Sequence, residues 1–331
     1  MIISKTPYRI SFFGGGTDFP AWYRENGGAV LSATIDKYCY ISCRNLPPFF
    51  EHKHRFVYSV IEDIVNVSDI NHPAIRGVFQ WLDIQVGLEI HHDGDLPARS
   101  GLGSSSSFTV GLLNALRAHS NKYYSKASLA KDAIFVEQEV IGETVGSQDQ
   151  VAAAYGGFNQ ITFGGSAEFI VKPVIMQPTM QRKLNDHLLL FFTGVQRFAS
   201  QIEETKLKRL DPNARIMRRI SQMVDEGLAI LTSDTVDFDN FGRLLHEGWV
   251  AKSGLSPEVS SSLIDEAYRA ARAEGALGGK LLGAGGGGFM LIFANPRYHQ
   301  AITQRLAKFV HVPFEFENSG STIALYQPSG L

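Results

Sequence analysis

Along the first hundred residues the apolar positions come in short runs bounded by glycine, proline or charge, which is the pattern of strands. Residues 2–4, 8–13, 29–35 and 39–44 are rich in β-branched and aromatic side chains, and 55–59 and 88–91 continue the style. Between them Ile75, Val78, Phe79 and Leu82 recur at helical spacing and predict a helix over 73–86. After residue 107 the period changes. Val110, Leu112, Leu113, Leu116 and Ala118 predict a largely buried helix. Leu129, Ala133, Val136 and Val140 predict another over 128–141, and a third follows over 144–155. Strands resume at 158–163, 169–171 and 188–193, with prolines and polar residues clustered over 174–186. Helices are predicted over 199–209, 214–231, 237–252 and 257–274. Strands at 279–282 and 289–293 then flank a glycine tract. A helix over 298–309 precedes two last strands, 313–317 and 322–326. Strands and helices mix without strict βαβ alternation, so the fold class is α+β. No repeat at a solenoid period is visible.

A chain of 331 residues favours two domains, with a division near 1–180 and 181–331. With 44% hydrophobic and 19% charged residues a packed core is expected. The formal net charge of −2 offers no basic surface for nucleic acid or for an anionic membrane. No stretch of about 18 apolar residues is present, and residues 1–13 lack the charged and apolar regions of a secretory signal. A cytoplasmic protein, monomer or homodimer, is expected. Cys39 and Cys43 lie four apart in a strand-like run with no second pair to complete a zinc site, so they read as buried free thiols.

Three glycine-rich segments carry the candidate chemistry. In Leu96-Pro-Ala-Arg-Ser-Gly-Leu-Gly-Ser-Ser-Ser-Ser-Phe108, Gly101 and Gly103 allow close backbone approach, and the serines cap the helix that follows. A helix N-terminus offers free N–H groups and a positive dipole end to an anion, here a nucleotide phosphate. The segment lacks the Lys-Ser/Thr of a Walker loop and the spacing of a dinucleotide fingerprint. A plain glycine turn with a serine cap is the alternative. In Lys5-Thr-Pro-Tyr-Arg-Ile-Ser-Phe-Phe-Gly-Gly-Gly-Thr-Asp18 a strand runs into three glycines. A carboxylate there can accept hydrogen bonds from sugar hydroxyls, and Arg9 among apolar neighbours needs an anionic partner. A structural ion pair and a turn cap are the alternatives. The third segment, Gly279-Lys-Leu-Leu-Gly-Ala-Gly-Gly-Gly-Gly-Phe-Met290, carries four consecutive glycines. Their entropic cost points to a close approach to a ligand or another loop, with a hinge as the alternative. Glu137 and Asp149 lie twelve residues apart around Gly142 and Gly146, so both carboxylates can face one site. One could hold a magnesium–nucleotide complex and the other orient an acceptor hydroxyl.

Taken in order, the segments 7–18, 97–107 and 281–289 resemble the GHMP kinase superfamily, named for galacto-, homoserine, mevalonate and phosphomevalonate kinases, across nearly the whole chain. The resemblance implies an N-terminal domain like the second domain of ribosomal protein S5 and a C-terminal ferredoxin-like domain, with ATP between them. It implies that Arg99, Ser100, Gly101, Leu102, Gly103, Ser104, Ser105 and Ser106 bind the ATP phosphates. Asp149 matches the catalytic aspartate, and Arg9 the basic residue that keeps it ionised and polarises the acceptor hydroxyl. Glu137 and Ser105 match the Mg²⁺ ligands. Gly15, Gly16, Thr17, Asp18, Gly286 and Gly287 fall at substrate positions.

Galactokinases carry Gly-Glu-His-Thr-Asp where this chain has Gly14-Gly15-Gly16-Thr17-Asp18, which argues against galactose and leaves room for a bulkier acceptor. The triple glycine, with Gly-Ser-Gln-Asp-Gln150 and Phe192-Thr-Gly-Val-Gln-Arg197, is similar to the heptose 7-phosphate kinases of the superfamily. That resemblance implies phosphorylation of the anomeric C1 hydroxyl of D-glycero-D-manno-heptose 7-phosphate, within the synthesis of nucleotide-activated heptose for surface polysaccharides. A phosphorylated heptose needs a cationic pocket. Arg197 is the first candidate for it, followed by Lys252 and Lys280. His52, His54, His91 and His92 read as structural or surface residues. Another sugar-1-kinase, of fucose or uronic acid type, and a non-catalytic sugar or nucleotide sensor on the same fold are the other readings.

Overall fold

The computed structural model describes residues 1–98, 100–195, 202–205 and 209–328. The first part of the chain forms β1 (Ile2–Phe13), α1 (Pro20–Asn26), β2 (Gly28–Asn45), β3 (His54–Val57), β4 (Ile61–Ile64), α2 (Pro73–Leu82) and β5 (Leu88–Gly94). Next come α3 (Ser104–His119), α4 (Lys126–Phe135), a π turn (Val136–Val140), α5 (Gln148–Tyr155), β6 (Phe158–Phe163) and β7 (Phe169–Pro173). The remainder contains α6 (Pro178–Asp186), β8 (Leu188–Phe192), α7 (Leu210–Leu231), α8 (Phe238–Ser253), α9 (Ser262–Ala273), β9 (Ala276–Leu281) and β10 (Phe289–Ala294). It ends with α10 (His299–Arg305), β11 (Val310–His311), β12 (Phe316–Glu317) and β13 (Thr322–Tyr326).

β2 organises the larger sheet, pairing with β1, β5, β6 and β12. The sequence pattern splits it at Asp36-Lys37, yet the strand runs through. The ladder to β1 slips there, from Pro7 opposite Tyr38 to Tyr8 opposite Ile35, so two extra residues bulge outward. α3 lies across β1 and β2 at close range, because a Cβ on Gly111 would sit 2.9 Å from Thr6 Oγ1. Ser4 Oγ donates to the Gly111 carbonyl at 2.8 Å and fixes the helix against β1.

The smaller sheet has the order β11-β8-β10-β9, all antiparallel. That order, with helices between β8 and β9 and between β10 and β11, is the ferredoxin-like arrangement. Alternation along β8 and β10 separates their two faces. Leu189, Phe191, Met290 and Ile292 pack beneath α9 and α10, whereas Leu190, Leu291 and Phe293 join the main core with Phe12, Phe13 and Phe241. The Phe241 ring meets Phe13 edge-on at 5.3 Å, so the two sheets share one apolar interior.

Several elements differ from the sequence pattern. The helix over 128–141 ends as α at Phe135 and continues as a π turn closed by Ile141 N donating to Val136 O at 2.8 Å. The helix over 144–155 begins only at Gln148, since 142–147 wraps around Asp18. The proline-containing polar stretch at 174–186 holds α6. Most of the helix over 199–209 lies outside the described residues. The division at 180 and 181 leaves β8–β11 together, but β12 and β13 return to pair with β2 and β1 in the larger sheet. Cys39 and Cys43 are buried free thiols, as their spacing suggested. No described helix is long and apolar enough to cross a membrane.

Candidate active site

Arg9 and Ser11 are two apart on β1, so strand alternation turns both side chains to the same face. Opposite them, α5 starts at Gln148 and presents Asp149 in its first turn. Arg9 Nε donates to Asp149 Oδ1 and Nη2 to Oδ2, both at 2.7 Å. The third nitrogen, Nη1, donates to the Gly101 carbonyl at 2.8 Å. One guanidinium thus ties the carboxylate to the glycine–serine loop in a planar, two-point geometry that lysine cannot copy. Arg9 is 4% exposed and Asp149 23%, so the carboxylate keeps a face toward the cavity beside it. The ion pair named as the alternative for Arg9 is therefore present, and its partner is Asp149.

That cavity, of about 380 Å³, is lined from both sheets. Arg9, Asp149, Gly15, Gly16 and Asp18 stand on one side, Gly101, Gly103 and Ser104–Ser106 at the start of α3, and Gly283, Ala284, Gly285 and Gly287 from the third glycine segment. Gly103 caps α3 at φ +76, and the first-turn amides of a helix have no acceptor within it. A Cβ on Gly103 would lie 3.3 Å from the Asp149 carboxylate.

The third glycine segment is explained by backbone-to-backbone docking. Phe289 N donates to Ser100 O at 3.0 Å. A Cβ on Gly288 would lie 2.2 Å from Ser100 O, and one on Gly283 would lie 2.4 Å from the Gly101 Cα. The segment clamps the glycine–serine loop of residues 100–103, so its glycines meet a close approach to another loop. Gly286 N donates to Val259 O at 2.9 Å and the residue does not line the cavity, unlike Gly287.

Asp18 is buried beneath the triple glycine. It accepts from Gly16 N at 2.9 Å and Gln148 N at 3.2 Å. Desolvation, reinforced by the Asp149 charge, raises its pKa to about 6, against the lowering effect of those two amides. Thr17 differs from its expected substrate role. It is fully buried, and its hydroxyl donates to Gly14 O and Ala29 O at 2.8 and 2.9 Å, stapling the turn to β2. A small polar residue next to glycines serves the backbone here.

Glu137 sits one side chain behind the cavity wall. Ser106 Oγ donates to its Oε2 at 2.9 Å, and Gln150 Nε2 donates to the same oxygen. Its Oε1 is buried without a partner among the described residues, and burial raises the pKa to about 7. A buried carboxylate with an unmet oxygen, next to a loop lined by hydroxyls, fits a hard divalent cation. Ser105, the residue expected to accompany it, is exposed on the cavity face, and Ser106 is the serine that reaches Glu137. The sequence could not separate consecutive serines without the helix phase.

Ser100 and Leu102 do not line the cavity: Ser100 is held by Phe289, and Leu102 is a core side chain whose carbonyl accepts from Arg9 N at 3.1 Å. Arg99 and Arg197 lie outside the described residues. Lys252 and Lys280 do line the cavity, but Lys252 Nζ donates to Leu281 O and Gly283 O, and Lys280 Nζ to Phe12 O at 2.7 Å. His52, His54, His91 and His92 are all outside the cavity lining. Ser11 and Gln148 line it without a role having been expected of them. Their adjacency to Arg9 and Asp149 was the available signal.

Comparisons with known proteins agree with this geometry. Models of the GHMP kinases N terminal domain and the GHMP kinases C terminal match residues 69–157 and 233–312. A D-glycero-alpha-D-manno-heptose 7-phosphate kinase of Campylobacter jejuni is 30% identical over 93% of this chain and 93% of its own. The bifunctional fucokinase/GDP-fucose pyrophosphorylase of Arabidopsis thaliana is 27% identical over 94% of this chain and 31% of its own. The crystal structure of a D-glycero-D-manno-heptose 1-phosphate kinase from Bacteriodes thetaiotaomicron superposes with a TM-score of 0.80 at 26% identity, covering 99% of this chain and 100% of that one. The chain belongs to the GHMP kinases. It is an enzyme, a kinase with the N- and C-terminal domains of that fold, and such kinases use ATP with a divalent metal.

Proposed function

We propose that this sugar kinase transfers the γ-phosphoryl group of ATP to the anomeric C1 hydroxyl of D-glycero-D-manno-heptose 7-phosphate, giving the 1,7-bisphosphate and ADP. The observation that carries the reading is the Arg9–Asp149 pair tied through Gly101 to the phosphate loop, beside a turn of three glycines. The 30% identity to a heptose 7-phosphate kinase over nearly the full chain supports the choice of acceptor.

In this reading the amides of residues 100–106 and the N-terminus of α3 hold the phosphates. Asp149 accepts the hydroxyl proton as the C1 oxygen bonds to the γ-phosphorus and the bond to the β-phosphate oxygen breaks. Arg9 fixes the carboxylate and leaves it one open face. Asp18 and the backbone of Gly15 and Gly16 bound the sugar. Glu137 and the Ser105 hydroxyl would hold Mg²⁺, with Ser106 orienting the carboxylate, and a cation bound there would supply charge neutralisation for phosphoryl transfer. Residues 1–180 supply the phosphate loop and catalytic pair, and 181–331 the clamp.

A second reading keeps the reaction and changes the acceptor to an unphosphorylated sugar. It is favoured by the cavity's described cations, since Arg9, Lys252 and Lys280 are each bonded to protein oxygens, and by the fucokinase relative. Coupled ADP release with Mg·ATP separates the two. Turnover with heptose 7-phosphate well above that with free heptose or L-fucose, lost in Asp149→Ala, supports the first. Preference for a free sugar overturns it.

A further inference from the structure

The cavity contains two buried polar atoms that the catalytic pair does not use. Ser11 is 5% exposed and Gln148 9%, both line the cavity, and neither Ser11 Oγ nor Gln148 Oε1 has a hydrogen-bond partner among the described residues. An unmet buried polar atom is destabilising, so a ligand group that meets it gains affinity. Both side chains border Gly15, where a Cβ would lie 3.8 Å from Ser11 Oγ and 3.8 Å from Gln148 Nε2. That glycine is not required by a left-handed backbone or by any closer neighbour. Its absent side chain leaves open the space between the two polar groups.

The arrangement forms two ranks. Arg9 on β1 faces Asp149 on α5, and Ser11, two residues further along the same face, stands with Gln148, the residue before Asp149. We infer that Ser11 and Gln148 bind the hydroxyl neighbouring the one that is phosphorylated, in the space left by Gly15, and thereby set acceptor specificity. This rests on the acceptor hydroxyl meeting Asp149, as proposed above. An anomeric carbon has two ring neighbours, the ring oxygen and C2. The ring oxygen only accepts hydrogen bonds, whereas the amide oxygen of Gln148 needs a donor. The C2 hydroxyl can donate to Gln148 Oε1 and accept from Ser11 Oγ. The ligand class is therefore a pyranose with a free C2 hydroxyl.

The test measures acceptor and ATP kinetics for wild type, Ser11→Ala, Gln148→Met and Gly15→Ala, with heptose 7-phosphate and its 2-deoxy analogue. The expected result is a rise in acceptor KM of roughly 10- to 100-fold in each variant, with the KM for ATP unchanged. On the 2-deoxy acceptor, Ser11→Ala and Gln148→Met should differ little from wild type. Equal losses on both acceptors, or an unmoved acceptor KM, would overturn the inference. If wild type ignores heptose 7-phosphate but phosphorylates another sugar of a panel, the acceptor assignment fails alone. The same variants are then read on that sugar and its 2-deoxy form, with the same two outcomes.

Discussion

Gly146 passes so close to Asp18 that a Cβ on it would lie 2.0 Å from the carboxylate oxygen Oδ2. The same oxygen accepts from Gln148 N, so the loop before α5 is moulded on Asp18. Gly146→Ala must push this contact apart and is expected to lower stability by about 1–3 kcal/mol and raise the acceptor KM. Gly142, in the same loop, has open space and a φ of +75. Gly142→Ala should cost about 1–2 kcal/mol and leave the acceptor KM alone. Chemical denaturation with steady-state kinetics reads both, and equal effects on KM would refute the contact's role.

Asp149→Asn keeps the shape of the side chain and removes its negative charge. A fall in kcat of roughly 10²- to 10⁴-fold is expected, with the KM for ATP within a few fold of wild type. Arg9→Met leaves Asp149 unpaired and is expected to cost about 3–5 kcal/mol of stability as well. Asp149→Asn with near-normal kcat would remove the residue from the reaction.

The buried carboxylates set a pH dependence of stability. Asp18 has a folded pKa of about 6 against an ordinary 3.8, so between those values the folded state binds more protons than the unfolded chain. Stability therefore falls as pH rises through that window, by roughly 3 kcal/mol for this group. Glu137, raised to about 7, acts in the same direction at slightly higher pH. Thermal melts without nucleotide or metal should show Tm declining from pH 5 to 7.5 relative to Asp18→Asn. Parallel curves would show that Asp18 is not raised.

Metal linkage gives a separate prediction. Glu137→Gln removes a buried charge and should leave the protein at least as stable, yet raise the half-saturating Mg²⁺ concentration and lower kcat by tenfold or more. The stabilisation that Mg²⁺ gives in thermal melts without ATP should disappear. Retention of that stabilisation would move the metal elsewhere.

The glycine loops, Arg9 and Asp149 were legible in the sequence because their chemistry forces unusual residue types into fixed order. Other features depend on geometry that spacing does not encode. The π turn over Val136–Val140 inserts one residue into the helical phase, so which serine meets Glu137 cannot be counted from a regular period. Thr17 looks like a ligand group beside glycines, but its neighbour across the fold is Ala29. Lys252 and Lys280 look like free cations until the carbonyls they hold are seen. β4 and β11 carry too few apolar residues to register as strands. Most of the fold's outline was readable, and what was missed lies in a shifted helical phase, in very short strands, and where side chains serve backbone groups distant in sequence.

The pairing of β1 with β13, Ile2 opposite Tyr326, has a consequence for synthesis. The strand that carries Arg9 leaves the ribosome more than three hundred residues before its outer neighbour. Until then that edge of the sheet stays unprotected, a surface on which nascent chains can pair with one another. A translation block shortly before residue 322 would yield a product that contains Arg9 and Asp149 and lacks the strand that shields β1. Such a product should depend on chaperones for its solubility far more than the chain carried through residue 326.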